Sequence, residues 1–247
     1  MKEIVQASVD VVIALGAKEF LGKILGPPAE DVGLLLRDQV HNFRFKNQVK
    51  ILTKARAFLD EQGIQPQKVP LKTLAPILEF GSLEEDESMI EKWAALLASA
   101  ADPASTSKVQ PSFPEILKQL SAREAVILDT IFAMVIKEQI PRAEWSNRGA
   151  RREPVKQIAR LEDEEYEISI DNLYRLRLCA PPAIQLAFLD NKDARFQLRD
   201  KSVVCLTEFG FAFATSCQPP SFKKDAAPPR NKTAATLNDL IKAGVSK

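Results

Sequence analysis

Apolar residues recur at helical spacing through the first hundred positions and predict a helical bundle. The segment Ile4 to Leu25 is apolar nearly all round, which is typical of a helix buried among others. Gly26-Pro27-Pro28 ends it, because proline cannot donate a backbone hydrogen bond and disfavours helix in the residue before it. A second helix is predicted from about Ala29 to Glu61, with Gly63 just past its end.

The second helix carries apolar residues on two opposite faces, which predicts two packing partners. Basic residues lie between these faces: Lys46, Lys50 and Lys54 form one ridge, and Arg37 and Arg44 form the other. Residues 37–56 have a net charge of +5. Two interpretations arise, a nucleic-acid contact or pairing with the acidic residues Glu84, Glu85, Asp86, Glu87 and Glu91, and we favour pairing.

Shorter helices complete this half of the chain. One is predicted over Leu71 to Phe80, and a capping box of Ser82 and Glu85 predicts the start of the next. Ile90, Trp93, Leu97 and Ala101 would form its buried face, and Asp102-Pro103 would end it. The polar stretch 103–113 is then a connector. The predicted organisation is a helical bundle (1–102), a connector (103–113), a second domain (114–218) and a flexible basic tail (219–247).

The second domain mixes helices with strand signals. A capping box of Ser121 and Glu124 opens a helix to Glu138, residues 141–165 are charged and irregular, and a short helix follows Ser169. Strands are predicted over Ala183 to Leu189 and Arg195 to Leu206, joined by a turn at 190–193. Thr207 is the predicted N-cap of a last helix through Cys217.

Helices followed by a hairpin is the order of a winged-helix domain, and Leu206-Thr207-Glu208-Phe209-Gly210 resembles the step that joins the wing to the closing helix in such domains. The predicted fold class is mainly α, with an N-terminal helical bundle followed by a C-terminal winged-helix-like α+β domain with a β-hairpin wing.

Composition places the protein in the cytoplasm by default. The 34 basic and 33 acidic residues nearly cancel, so net charge does not drive the chain to nucleic acid or lipid. The three cysteines, Cys179, Cys205 and Cys217, are scattered, which indicates a reducing compartment. No stretch reaches the roughly 20 apolar residues of a membrane span, and the N-terminus lacks a signal-peptide layout.

Candidate chemistry is sparse. His41 is the single histidine, whereas zinc sites and nucleophile triads need several partners, so we interpret it as a surface residue. The cysteines are interpreted as core residues. The acidic residues from Glu84 to Glu91 offer oxygen ligands for a divalent cation, but helix capping accounts for them better. The sequence therefore predicts no catalytic, metal or cofactor site, and no enzyme.

The winged-helix-like region offers the most specific candidate interaction surface. In DNA-binding versions a recognition helix enters a groove and a basic wing contacts phosphate. The residues in those places are Asn172, Arg175 and Arg177 on the helix, with Lys192, Arg195 and Arg199 on the hairpin. The acidic run 162–167 directly precedes the helix and would repel phosphates, so we favour protein interaction over DNA binding.

Several blocks together resemble the abortive infection alpha family of prokaryotic anti-phage proteins. They are AKEFLGKILGPPAEDVGLLL (17–36), FRFKNQVKIL (43–52), KVPLKTLAPILEFGSLEEDESMIEKWAALLASAADP (68–103) and PSFPEILKQLSAREAVILD (111–129), and the LTEFGFAF segment (206–213) fits too. The family brings no agreed catalytic residues. The resemblance therefore implies a role in phage defence rather than a chemical mechanism.

The leading hypothesis is a non-enzymatic abortive-infection protein that acts through protein recognition or assembly. Its partner would be a phage or host protein, and a homo-oligomer stays open. One alternative is a membrane-acting cell-death effector that uses the helix 4–25. The other is a winged-helix DNA-binding regulator.

Overall fold

The structure is a computed structural model that describes residues 16–17, 19–24, 42–105, 109–183 and 201–220. Residues 16–17 and 19–24 are helical and are called the N-terminal segment. The helices that follow are α1 (Asn42–Asp60), α2 (Leu71–Gly81), α3 (Glu87–Ala101), α4 (Phe113–Leu117), α5 (Ala122–Lys137), α6 (Arg152–Ala159), α7 (Asp163–Arg175) and α8 (Glu208–Ser216). A 3₁₀ turn spans Arg142–Glu144, and the strands are β1 (Ala150–Arg151), β2 (Cys179–Ala180) and β3 (Val203–Leu206).

The N-terminal half is built around α1. This helix packs along α3 and also contacts α2. The N-terminal segment buries Ala17, Phe20, Leu21 and Ile24 in the same core, and its end is fixed by the Val69 amide, which donates to the Ile24 carbonyl at 2.7 Å. The predicted stretch 25–41 lies outside the described residues.

The start of α3 corrects one prediction. Ser82 and Glu85 do not form its capping box, because α3 begins at Glu87 and Asp86 is the N-cap, whose carboxylate accepts from the amides of Ser88 and Met89. The Ser82 hydroxyl instead donates to the Glu79 carbonyl at 2.6 Å, at the end of α2. Helix α2 ends at Gly81, where an added Cβ would lie 2.6 Å from Ile51 Cδ1 and 3.0 Å from Trp93 Cγ.

Four helices end in the same way, with a left-handed residue just past the helix. Gly63 closes α1 at φ +63°, as predicted, with the Ile64 amide donating to the Leu59 carbonyl. The left-handed residues that follow α5, α6 and α7 are not glycines. They are Gln139, Arg160 and Arg177, with φ of 49°, 54° and 58°.

The C-terminal half contains a three-stranded antiparallel sheet in the order β1-β3-β2. β3 is the central strand, since Ala150 pairs with Val204 and Cys179 pairs with Leu206. The predicted strand Arg195 to Leu206 is confirmed over Val203–Leu206, residues 201–202 are not strand, and residues 195–200 lie outside the described part of the chain. The predicted strand Ala183 to Leu189 and the turn 190–193 lie outside the described residues, apart from position 183.

The stretch 141–165, predicted to be irregular, contains the 3₁₀ turn, β1, α6 and the start of α7. The predicted start of the next helix at Ser169 is also wrong. Glu162 and Glu165 form a capping box, so the acidic run is the first turn of α7 rather than a loop before it. The capping box of Ser121 and Glu124 and the N-cap Thr207 are confirmed.

One continuous cluster of buried side chains includes residues from both halves of the chain. Phe113, in α4, contacts Phe213 of α8 edge to face at 5.4 Å. The Ser99 hydroxyl donates to the Ser216 carbonyl at 2.6 Å, and Lys92 pairs with Asp129 at 2.6 Å. The prediction of a mainly helical fold with a small α+β region is confirmed, and the division at 103–113 stays a prediction.

Candidate interaction surface

Helix α7 presents one face to the core and the opposite face to solvent. Its inner face buries Tyr166, Ser169, Ile170 and Leu173. Its outer face exposes four residues spaced by four, three and four positions, which places them in one line along the helix. They are Glu164, Ile168, Asp171 and Arg175, and are called the α7 stripe. Ile168 is 64% exposed, the highest value for a large apolar side chain among the described residues, and it lies between two carboxylates.

The basic residues of α6 are held by carboxylates of α7. Arg152 forms ion pairs with Glu167 and, at 3.1 Å, with Asp163, and Lys156 contacts Asp163 at 2.6 Å. The hydrogen bond from Lys156 is the main cause of a lowered pKa at Asp163, and the hydrogen bond from Arg152 adds to it. The same bond raises the pKa of Lys156. Arg152 and Lys156 are therefore engaged in ion pairs within the protein.

Lys201 supports α7 from the other side. Its side chain is only 4% exposed, and its ammonium group contacts Glu167 Oε2 at 3.0 Å and Asp171 Oδ1 at 2.7 Å. It also donates to the Glu167 carbonyl at 2.7 Å. A buried ammonium with three acceptors is stable in this place, since each of its protons has a partner. Lys201 thus fixes the middle of α7 against the start of β3.

Two of the predicted recognition residues, Asn172 and Arg175, bond to other residues of the fold, although Arg175 remains exposed. The Asn172 amide donates to Glu124 Oε1 at 2.8 Å and to the Gln119 carbonyl at 3.1 Å. Arg175 donates to Asn172 Oδ1 at 2.7 Å and to Gln119 Oε1 at 3.0 Å. Arg177 is exposed just past the helix end. Lys192, Arg195 and Arg199, predicted on the wing, lie outside the described residues.

The result is an acidic helix face. Helix α7 contains five carboxylates, at positions 163, 164, 165, 167 and 171, and one basic residue, Arg175, so its net charge is −4. Glu165 is held by the backbone amide of Glu162, which is the main reason that its pKa is lowered, with Arg123 contributing. Four of these carboxylates are paired with Arg123, Arg152, Lys156 or Lys201. Glu164 and the exposed Asp171 are therefore the groups on the stripe that can repel phosphate and attract a cation.

The basic ridges of α1 face the acidic start of α3. Lys50 pairs with Glu87, and Lys54 pairs with Glu91 at 2.8 Å. The hydrogen bond from Lys50 lowers the pKa of Glu87. Arg44 donates to the Ser82 hydroxyl at 3.0 Å, and Lys46 is exposed. Arg37 lies outside the described residues. Of the basic residues in the two ridges, Lys50 and Lys54 therefore pair with acidic residues of α3, which is the interpretation favoured from the sequence.

The acidic residues before α3 have structural roles. Asp86 caps the helix, and the hydroxyl of Ser88 is the main cause of its lowered pKa. Glu84 Oε1 accepts from the amides of Glu85 and Asp86. Across the ranges that the structure describes, no group of three or more His, Cys, Asp and Glu residues is arranged to hold a metal ion.

The three cysteines are buried, as predicted. Burial raises the pKa of the Cys205 thiol to about 11 and also raises that of Cys179. A thiol with a raised pKa is protonated at neutral pH and is a poor nucleophile. His41 lies outside the described residues.

A cleft of about 290 Å³ lies beside the connector, between the start of α2 and the end of α3. Its polar groups hold the chain together: Asp102 accepts from the Ala104 amide at 2.8 Å, and the Gln67 amide donates to the Asp102 carbonyl. Ser105 and Val109 of the connector form part of the cleft's lining.

Sequence reasoning missed the ion pairs between α6 and α7, although a signal was present. Asp163, Glu167 and Asp171 are spaced four apart, and so are Arg152 and Lys156. Side chains with this spacing share one helix face. The partner of Glu167 and Asp171, Lys201, is 30 or more positions away, and nothing local indicates it.

The fold and this surface define a mainly helical protein with a small α+β unit that exposes an acidic helix. A family model described as abortive infection alpha matches residues 40–217, and the chain belongs to that family. The matched range covers α1 to α8, whereas the block at 17–36 lies outside it. Neither the curated proteins nor the solved structures contain a match to this chain. The family supports a role in abortive-infection defence and is not known as a family of enzymes.

Proposed function

We propose that this protein defends against phage without enzymatic chemistry, by recognising another protein through the α7 stripe. Family membership supports the defensive role. The single observation that supports recognition is an acidic, partly apolar helix face, exposed and held rigid from both sides. We also propose that residues 114–218 form a winged-helix-like unit joined to the helical bundle by the connector.

The order of elements supports the winged-helix interpretation. The chain runs α5, β1, α6, α7, β2 and β3, with β3 between the other two strands. In that order α7 takes the place of a recognition helix. The charge of α7 favours a protein partner over DNA, since DNA-binding versions present cations there and this helix carries a net charge of −4.

The membrane-acting alternative requires the N-terminal segment to leave the core. In the described part of the chain, no helix is both long enough and apolar enough to cross a bilayer. Phe20, Leu21 and Ile24 are buried, and exposing three such side chains costs on the order of 5 kcal/mol. A trigger would have to supply that free energy, which makes recognition at a surface that is already exposed the simpler mechanism.

The test is a plaque assay on cells that carry the wild-type gene, an Ile168→Ser variant or a Leu71→Ser variant. Leu71 is the matched control, because it is 57% exposed and lies on α2, in the other half of the chain. We expect the wild type and Leu71→Ser to restrict the same phages and Ile168→Ser to lose restriction while its melting temperature is unchanged. Full protection by Ile168→Ser would contradict the proposal, as would a wild type that restricts no phage in a broad panel.

A further inference from the structure

We propose that the α7 stripe binds a basic amphipathic segment of its protein partner, in which lysine or arginine residues flank an apolar side chain. This inference rests on the proposed function and specifies the chemistry of the partner. It is drawn from the first three residues of the stripe, which read acidic, apolar, acidic, with Glu164 and Asp171 on either side of Ile168. Arg175, the fourth residue, is bonded to Asn172 and Gln119 and is left outside the proposed contact.

The spacing of the stripe sets the spacing of the partner. Glu164 and Asp171 are seven residues apart, so they are about 10 Å apart along the helix axis. Ile168 lies between them. A partner helix with two basic residues seven positions apart, and an apolar residue between them, presents matching groups at matching distances.

Both carboxylates have room for another cation. Glu164 is exposed and has no ion-pair partner among the residues that the structure describes. The Asp171 side chain is 69% exposed although Oδ1 contacts Lys201. A carboxylate has about four acceptor positions, so Asp171 can accept from a partner while Lys201 holds it in place. Binding therefore needs little reordering of the side chain.

The apolar residue adds the free energy that charges at a surface do not supply. Exposed ion pairs contribute little by themselves, whereas burial of an isoleucine side chain strengthens binding by about tenfold or more. An ion pair on each side of Ile168 would disfavour partners of the wrong charge and fix the register of the bound segment.

A second copy of this chain matches the stripe poorly. In an antiparallel pair of α7 helices Glu164 of one copy would lie opposite Arg175 of the other, but Arg175 is already bonded to Asn172 and Gln119. Ile168 would then lie opposite Asp171 rather than an apolar side chain. Nucleic acid does not fit either, since its phosphates would meet the same carboxylates. A cationic protein segment has the complementary charge.

The test measures binding of two labelled helical peptides of about 18 residues, a length at which helices form in water. One carries leucine flanked by lysines at seven-residue spacing, and the other has glutamate in place of each lysine. Fluorescence anisotropy with the full-length protein gives each Kd at about 0.1 M salt. We expect the lysine peptide to bind, Ile168→Ser to weaken it by about tenfold, and Leu71→Ser to leave it unchanged.

Glu164→Lys provides the decisive variant, because Glu164 is exposed and its replacement does not disturb the core. We expect this variant to bind the lysine peptide more weakly and the glutamate peptide more tightly than the wild type does. A loss of folding cannot produce such a reversal. The inference is overturned if both peptides bind equally, or if neither binds up to about 1 mM. It is also overturned if a short DNA duplex binds more tightly than the lysine peptide and Glu164→Lys does not strengthen that binding.

The two proposals fail in different ways. If Ile168→Ser loses phage protection but Glu164→Lys shows no change in peptide preference, recognition through α7 stands and the basic partner is wrong. If Ile168→Ser protects fully, the proposed function itself is wrong, whatever the peptides show.

Discussion

Gly210, in the first turn of α8, is the position where adding one methyl group should do the most damage. A Cβ at this residue would lie 1.9 Å from the Leu178 carbonyl oxygen and 2.7 Å from its carbonyl carbon. Side-chain carbons do not approach other heavy atoms to less than 3.0 Å, so the two backbones must separate by about an ångström. Leu178 immediately precedes β2, and this contact is why the step after β3 needs a glycine.

The magnitude follows from what holds Leu178 in place. Its carbonyl accepts from the Thr207 amide at 3.1 Å, and the Thr207 hydroxyl donates to the adjoining Arg177 carbonyl at 2.6 Å. Separation loses two hydrogen bonds of about 1 kcal/mol each, and overpacking against backbone adds about 1–3 kcal/mol. Alanine recovers about 1 kcal/mol of helix propensity. We therefore expect Gly210→Ala to lower the free energy of unfolding by about 3 kcal/mol.

The assay is thermal unfolding followed by circular dichroism. A loss of 3 kcal/mol corresponds to a fall in Tm of about 6–12 °C for a chain of this size. Gly22→Ala is the matched control, since its added Cβ meets no atom within 4 Å in a helical segment, and we expect a gain of about 0.5–1 kcal/mol. If Gly210→Ala unfolds within about 2 °C of the wild type, the close approach to Leu178 is wrong.

Three further predictions follow. Ser121→Ala should lower the free energy of unfolding by about 1 kcal/mol, because it removes the capping box of α5; urea unfolding measures this. Arg177→Gly should raise that free energy by about 1 kcal/mol in the same assay, because φ at Arg177 is +58° and glycine adopts this conformation without strain. Stability should fall as pH drops below the ordinary pKa of 3.8 for Asp163, whose pKa is lowered in the folded protein by Lys156 and Arg152. Unfolding curves from pH 7 to pH 3 measure that loss.

Each of these has a control within the chain. Ser112→Ala should change little, since the Ser112 side chain forms no cap hydrogen bond. Arg175→Gly, at the last residue of α7 where φ is not positive, should destabilise where Arg177→Gly stabilises, and equal effects would contradict the left-handed assignment. The sign of the pH effect follows from the direction of the shift: a lowered carboxyl pKa adds stability above the ordinary value and loses it as protons bind. An Asp163→Asn variant with the same acid profile as the wild type would exclude that carboxylate as a cause.

Local signals in the sequence predicted the helices whose ends have capping chemistry. Ser121 with Glu124, Thr207 and Gly63 each mark a boundary through contacts within a few residues, and each is confirmed. Ser82 and Glu85 have the spacing of a capping box but lie in the turn before α3. The Ser82 hydroxyl donates instead to the Glu79 carbonyl at the end of α2.

Long-range contacts decided what the sequence could not predict. Strands β1 and β2 have two residues each and form because β3 pairs with both. Two residues are too few for an alternating apolar pattern, so the sequence did not predict these strands. Helix α6 buries only Val155 and Ala159. The rest of its sequence is polar or charged, which is why the sequence pattern predicted an irregular stretch here.

The sequence located the candidate surface on the correct helix but did not predict the contacts that its residues form. Asn172 and Arg175 lie on α7 as expected, yet both bond to other residues of the fold, Asn172 to Glu124 and Arg175 to Gln119, although Arg175 remains exposed. The acidic run that argued against DNA proved to be part of the helix itself. Lys201, which fixes α7, is brought there by the fold from beyond the predicted hairpin turn.

The most direct test of protein recognition through α7 is site-specific photo-crosslinking during infection. A photoreactive amino acid at position 168 would lie on the stripe, and the same amino acid at position 71 is the control, since Ile168 and Leu71 are similarly exposed. The account predicts a covalent protein adduct from position 168, identified by mass spectrometry, that position 71 does not give. An adduct to nucleic acid or lipid at position 168, or no adduct in cells that restrict the phage, would contradict it.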